Sequence, residues 1–166
     1  GTIEVLSGYV PSSGSNTNAD LLALLLTPVG ALVPAFDSNV VSYTATEAYG
    51  NSPFTVTPTA ADAGATIQVI YGGVTNSVAS GSPSGSLTLN ASPLVTNPVE
   101  VRVTAADATT VKSYTVAVTR LPSTAAPTLA RTTGGGNLTF SWPLDHTGWS
   151  LQTQTNSRAL GLRTNW

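Results

Sequence analysis

Between Val99 and Thr119 the chain alternates twice between apolar and polar side chains. Val99, Val101 and Val103 are separated by Glu100 and Arg102, and Tyr114, Val116 and Val118 alternate with Ser113, Thr115 and Thr119. A period of two puts each set on one face of an extended strand, whereas a helix would scatter the same valines around its axis. The intervening AADATT supplies turn residues, so the stretch reads as a hairpin with its Val/Tyr face inward and its charged groups outward. A sheet with one apolar face has to be covered by a second layer, which makes this stretch a wall of a larger β-structure and not a chemical site.

The same rhythm recurs in shorter form upstream, at residues 21–26, 40–46, 54–59, 66–71 and 86–90, with turn residues between the runs and no helical pattern. About seven short strands with frequent turns indicate an all-β, immunoglobulin-like β-sandwich. Only 8% of residues are charged, against roughly 25% in ordinary soluble chains, and Thr, Ser, Ala, Val, Gly and Asn carry the surface. That palette is typical of extracellular β-rich proteins. A net charge of −2 with scattered bases offers no field for a phosphate backbone, so nucleic acid is not an expected partner. Cysteine is absent, which removes disulfides, thiolate nucleophiles and Cys-ligated metals. The longest apolar run, LLALLL, is far short of the about 20 residues a membrane-crossing helix needs, so no transmembrane segment is expected. The sequence starts at Gly1 without an initiator Met, which reads as a processed or excised chain.

Composition shifts divide the chain. Residues 1–17 read as an apolar strand, GTIEVLSGYV, followed by a flexible connection. Residues 18–121 form the sandwich, residues 122–128 a Pro-containing linker, and residues 129–166 a smaller, incomplete β unit. In that last unit NLTFSW and WSLQTQT are strand candidates around a PLDHTG turn, and some 40 residues of this kind cannot bury much core alone.

Four segments in order, NADLLALLL, LVPAFDSNVVSYTAT, VTPTAADAGATIQV and VRVTAADATTVKSYTVAVTR, resemble the bacterial cadherin-like β-sandwich domain found in tandem in large secreted and surface proteins. The resemblance implies an immunoglobulin-like sandwich, an extracellular or cell-surface setting, and no catalytic activity. LTFSWPLDHTGWSLQTQTN and GLRTNW are similar to a C-terminal module of long secreted proteins of Verrucomicrobia-like bacteria. One departure from the cadherin-like pattern stands out. Leu22 and Leu25 occupy first-strand positions where small polar residues are usual, so both are expected to face away from the core. Each forgoes roughly 1.5–3 kcal/mol of burial if left in water.

His146, the sole histidine, lies beside Asp145, but a general base needs a nucleophile and a metal needs three or four ligands, so a turn-stabilising role is expected. Asp20, Asp37, Asp62 and Asp107 fall in loops without the clustered spacing that calcium requires, and Asp37 and Asp107 read as turn residues. Trp142, Trp149 and Trp166, with Tyr9, Tyr49 and Tyr71, are read as core in preference to a sugar platform. GSNTN, ASGSPSGS and TTGGG read as flexible polar loops. No cofactor and no metal site is implied.

These features point to a structural module that self-associates into a polymer. In this reading the N-terminal strand of one subunit, with Ile3, Val5 and Leu6 as pocket-filling side chains, completes the unfinished C-terminal unit of its neighbour. Leu22, Leu25 and Trp166 complete the set of assembly residues. A glycan-binding or adhesive module and a passive spacer of a longer surface protein are the alternatives.

Overall fold

The computed structural model describes residues 16–28, 30–146 and 148–151. Seven strands form the larger unit: Leu21–Thr27 (β1), Ser42–Glu47 (β2), Thr55–Ala60 (β3), Thr66–Tyr71 (β4), Val74–Val78 (β5), Thr96–Thr104 (β6) and Val111–Arg120 (β7). They make a two-stranded sheet, β1-β3, and a five-stranded sheet in the order β2-β7-β6-β4-β5. Every pairing is antiparallel except β2 with β7, which run parallel. The two sheets pack as a sandwich.

The alternation from Val99 to Val118 builds the hairpin it predicts, with Val101 opposite Tyr114 and Val99 opposite Val116. Val99, Val101, Val103, Tyr114, Val116 and Val118 are all fully buried. Tyr43 and Ala45 of β2 and Ile67 and Val69 of β4 extend this inner face, while Leu21, Leu24, Phe54 and Val56 close over it from the other sheet. Each such side chain contributes roughly 1.5–3 kcal/mol by leaving water.

Leu21 and Leu24 are three residues apart, yet both point inward. A strand cannot do this with regular alternation. The register against β3 slips between Leu21 and Ala23, and this bulge leaves Leu22 as the extra residue, restoring the inward phase at Leu24.

Several expectations need correction. The segment 86–90 is not a strand; only an isolated bridge joins Leu87 to Phe54, although Leu87 and Leu89 are buried as a strand's inner face would be. Beyond that bridge the Leu89 N–H donates to the Ser52 hydroxyl at 3.3 Å and the Asn90 N–H to Asn97 Oδ1 at 2.9 Å, and further along the same edge of β3 Pro58 has no N–H to give a ladder. Along that edge the Ser84 hydroxyl accepts from the Val56 N–H at 3.0 Å, and the Ser80 hydroxyl accepts from the Ala60 N–H at 2.9 Å. ASGSPSGS is therefore not a free loop: side-chain oxygens there take the place of strand carbonyls. Second, β5 is a strand that alternation missed, because VTNSV has little apolar residue content and is largely exposed. Third, TTGGG closes a hairpin in place of forming an open loop. Ala130–Gly134 (β8) pairs with Asn137–Ser141 (β9) across Gly135 and Gly136, whose φ values of 57° and 77° suit a two-residue mirror-image turn. The second candidate strand, starting at Trp149, is not one as far as Leu151, where the described residues end.

Candidate functional site

The Asp107 carboxylate organises the β6–β7 turn. Its Oδ1 accepts from the backbone N–H groups of Thr109 at 2.9 Å and Thr110 at 2.8 Å, and its Oδ2 accepts from both threonine hydroxyls. These bonds hold Ala108 in the left-handed region at φ 59°. The hydrogen bonds from Thr110, then those from Thr109, hold the Asp107 carboxyl far below the usual aspartate range. A depressed carboxyl stabilises the fold above its unfolded-state value and loses that contribution as acid protonates it. Asp107→Ala is expected to lower the thermal midpoint at pH 7, with the deficit shrinking as pH falls below 4. Melting curves across that range check this, and a deficit independent of pH would contradict it.

Asp37 and Asp62 act in the same way, accepting from the N–H groups of Asn39 and Gly64. Asp20 differs. Its Oδ1 lies 2.6 Å from Nζ of Lys112, the only lysine of the chain, and the same ammonium donates to the Ser38 carbonyl at 2.6 Å. The Asp20 hydrogen bond is the largest cause raising the Lys112 pKa, so the lysine is a charged tie between the start of β1 and the start of β7. Among the described residues no three His, Cys, Asp or Glu side chains converge to hold a metal ion.

His146, in the short 3-10 turn Leu144–His146, is buried. Its Nδ1 lies 2.8 Å from Asp145 Oδ1 and its Nε2 lies 2.7 Å from the Ala125 carbonyl. The Ser123 N–H donates to the Asp145 carbonyl at 2.8 Å. Nε2 thus fastens Ala125 to the turn while Nδ1 is held by the neighbouring Asp145, which matches the structural role expected of this histidine. The ring also meets Trp149 edge to face at 5.4 Å.

Among the described residues Tyr49 and Tyr71 pack apart from Trp142 and Trp149. Tyr71 packs edge to face on Phe54, and Tyr49 lies under the Arg120 guanidinium at 4.0 Å. Trp142 is half-buried and Trp149 is exposed, so the second is not the core residue expected. These two indoles, with Pro127, Leu129, Ser150 and Leu151, line a small apolar cleft of about 150 Å³. Ser150 is its one polar side chain. A sugar needs several fixed hydroxyl partners, and this lining supplies almost none.

The hairpin beside the cleft exposes two large apolar side chains, Leu138 and Phe140, on one side. Cross-strand pairing puts Leu138 opposite Thr133 and Phe140 opposite Arg131, so all four share one face. Every residue of β8 and β9 is exposed. Among the described residues no third strand pairs with this hairpin. Leu22 and Leu25 are exposed too, at 70% and 62%, as their positions predict. Ile3, Val5, Leu6 and Trp166, with the strand read at residues 1–10, lie outside the described residues.

Sequence reasoning missed Glu47. It ends β2 fully buried, on the inward phase set by Tyr43 and Ala45. Its Oε2 accepts from Asn51 Nδ2 at 3.2 Å, while Oε1 finds no partner among the described residues. Desolvation pushes its carboxyl pKa up, against the Asn51 hydrogen bond. The cross-strand neighbour Arg120 turns elsewhere, donating to the carbonyls of Tyr49 and Asn90. The signal was available: a carboxylate in the apolar phase of a strand.

The sequence model of the cadherin-like beta sandwich domain matches residues 17–121. No curated protein and no solved structure matches the chain. The match stops short of β8, and nothing in these comparisons supports the likeness of the C-terminal unit to a Verrucomicrobia-like module. Among the described residues no helix is long and apolar enough to cross a membrane.

Proposed function

The chain belongs to the cadherin-like beta sandwich domain family, and from that premise we propose that it is a non-catalytic structural module of a secreted or cell-surface bacterial protein, self-assembling head to tail. The sandwich is the folded spacer. The joint is the C-terminal hairpin, which takes the N-terminal strand of the next subunit by β-augmentation, with Ile3 and Val5 on the side of Leu138 and Phe140 and Leu6 on the other.

The observation that carries this reading is the amphipathic β8–β9 hairpin, two strands with Leu138 and Phe140 uncovered. A two-stranded hairpin is marginal in water, and a third strand with an apolar face is what such an element lacks. A contact between unlike surfaces at the two ends of a subunit repeats from copy to copy, and where its rotation does not close a ring it produces a fibre.

Deleting residues 1–10 is expected to abolish fibres in electron micrographs and reduce the scattering mass to one chain, with the β-sheet circular dichroism retained. Polymerisation of the deleted chain at the wild-type concentration overturns strand exchange, and a parent chain that is itself a monomer leaves the spacer role. A glycan-binding role predicts instead that Trp149→Ala removes binding on a glycan array, although the apolar cleft gives it little support.

A further inference from the structure

β1 is an edge strand with a surface of its own. One side pairs with β3, and among the described residues no strand pairs with the other. Natural sheets usually blunt such edges with charge or proline, whereas here the flank carries Leu22 and Leu25, both well exposed. At its start the strand borders a groove of about 350 Å³ lined by Asp20, Leu22, Phe36, Asp37 and Ser38 among others. Asp62 and Asp107 occupy loops at the same end of the sandwich. Four aspartates therefore stand there against the single Lys112, which is already tied to Asp20.

The complement to an apolar edge with an acidic end is an extended segment with leucines and a basic residue on one side. Residues 152–166 carry Arg158, Leu160 and Leu162 at alternate positions, then Arg163, and no acidic residue. Read as a strand, Arg158, Leu160 and Leu162 share a side. The N-terminal segment is the wrong sign, having Glu4 and no base.

Lys112 near the start of β7 marks the groove end, and β7 finishes at Arg120, where the chain leaves the sandwich for the linker. A ten-residue strand is about 30 Å long, so groove and exit lie at opposite ends of the sandwich. We infer that residues 152–166 of a second copy dock on the open edge of β1, with Leu160 and Leu162 against Leu22 and Leu25 and Arg158 in the acidic groove. The geometry rests on the head-to-tail reading above and gives that junction a second, reciprocal strand.

The test uses a fluorescein-labelled peptide of residues 152–166 and the full chain, held below its assembly concentration, with anisotropy as the readout. Saturable binding is expected, weakened at least tenfold by Leu22→Ser with Leu25→Ser in the chain, or by Arg158→Glu with Arg163→Glu in the peptide. Binding is also expected to fall as salt rises. Leu22 and Leu25 are exposed, so circular dichroism of the doubly substituted chain should match the parent and exclude misfolding. No saturable binding, or binding indifferent to these substitutions, overturns the proposal. Tighter binding to a chain whose own Arg158 and Arg163 are glutamate means that each tail covers its own β1, which overturns the second-copy occupant. None of these outcomes depends on residues 1–10, so loss of fibres on deleting them bears on strand exchange alone.

Discussion

Tyr114→Ala is expected to cost the sandwich about 3–5 kcal/mol, the usual range for truncating a large buried aromatic residue. A domain of this size has about 5–15 kcal/mol in all, so the variant should melt at least about 10 °C below the parent or fail to fold. Two effects combine. The ring is fully buried on β7, an inner strand of the five-stranded sheet, tilted against Phe36 at 6.2 Å, and its loss leaves a cavity. The hydroxyl is a tie between sheets: it accepts from the Leu21 N–H at 3.0 Å and donates to the Ser38 carbonyl at 3.0 Å. Tyr114→Phe separates the two contributions. It keeps the ring and strands the buried Leu21 N–H, at a cost of about 1–3 kcal/mol. Denaturant titrations of both variants check the prediction. A phenylalanine variant as stable as the parent would mean that the bulged start of β1 finds another partner for that N–H.

That tie also marks where reading the sequence succeeds and where it stops. The β6–β7 hairpin was legible because its valines serve one purpose, burial on one face, and nothing interrupts the period. β1 was legible only as an apolar run. Leu21, Leu22, Leu24, Leu25 and Leu26 give no phase by themselves, since the bulge that turns Leu21 and Leu24 inward depends on pairing with β3 and on the tyrosine hydroxyl across the core. The resemblance to the cadherin-like domain supplied that phase and correctly put Leu22 and Leu25 outside. β5 carried no signal because a largely exposed strand has no reason to alternate. Residues 80–89 misled in both directions. Their leucines alternate like a strand, but Ser80 and Ser84 bond to β3 through side chains, a non-local arrangement that composition does not encode.

The candidate site divides along the same line. Turn aspartates were legible because such groups act on neighbours a few residues away, as Asp107 does with Thr109 and Thr110, whereas the hold of His146 on Ala125, 21 residues off, was not. The uncovered face of the C-terminal hairpin was half legible. NLTFSW was read as a strand, whereas its pairing with β8 required recognising Gly135-Gly136 as a turn.

Glu47→Gln is expected to stabilise the sandwich at neutral pH, an unusual outcome for a substitution at a fully buried position. Among the described residues the carboxylate has one hydrogen bond, from Asn51, and no cation, because Arg120 is committed to the carbonyls of Tyr49 and Asn90. Burial raises its pKa above the ordinary value of 4.5. The folded chain therefore binds this proton more tightly than the unfolded chain does. Stability is fully present below 4.5 and is lost as pH rises through the raised folded-state value, so at neutral pH the fold bears the cost of a buried charge. Glutamine has the same shape, still offers Asn51 an acceptor, and carries no charge. Against this, its amide N–H groups point where Oε1 had no partner. The net gain should then be about 1–2 kcal/mol, less than the full penalty of an unsatisfied charged group. The pH dependence is the discriminating feature: the advantage of glutamine should be present at pH 7 to 8 and vanish near pH 4, where the parent's own carboxyl is neutral. Thermal midpoints of parent and variant from pH 3 to 8 test this. A glutamine variant less stable than the parent at pH 7 would show instead that the Glu47 charge is compensated at the linker end of the sandwich.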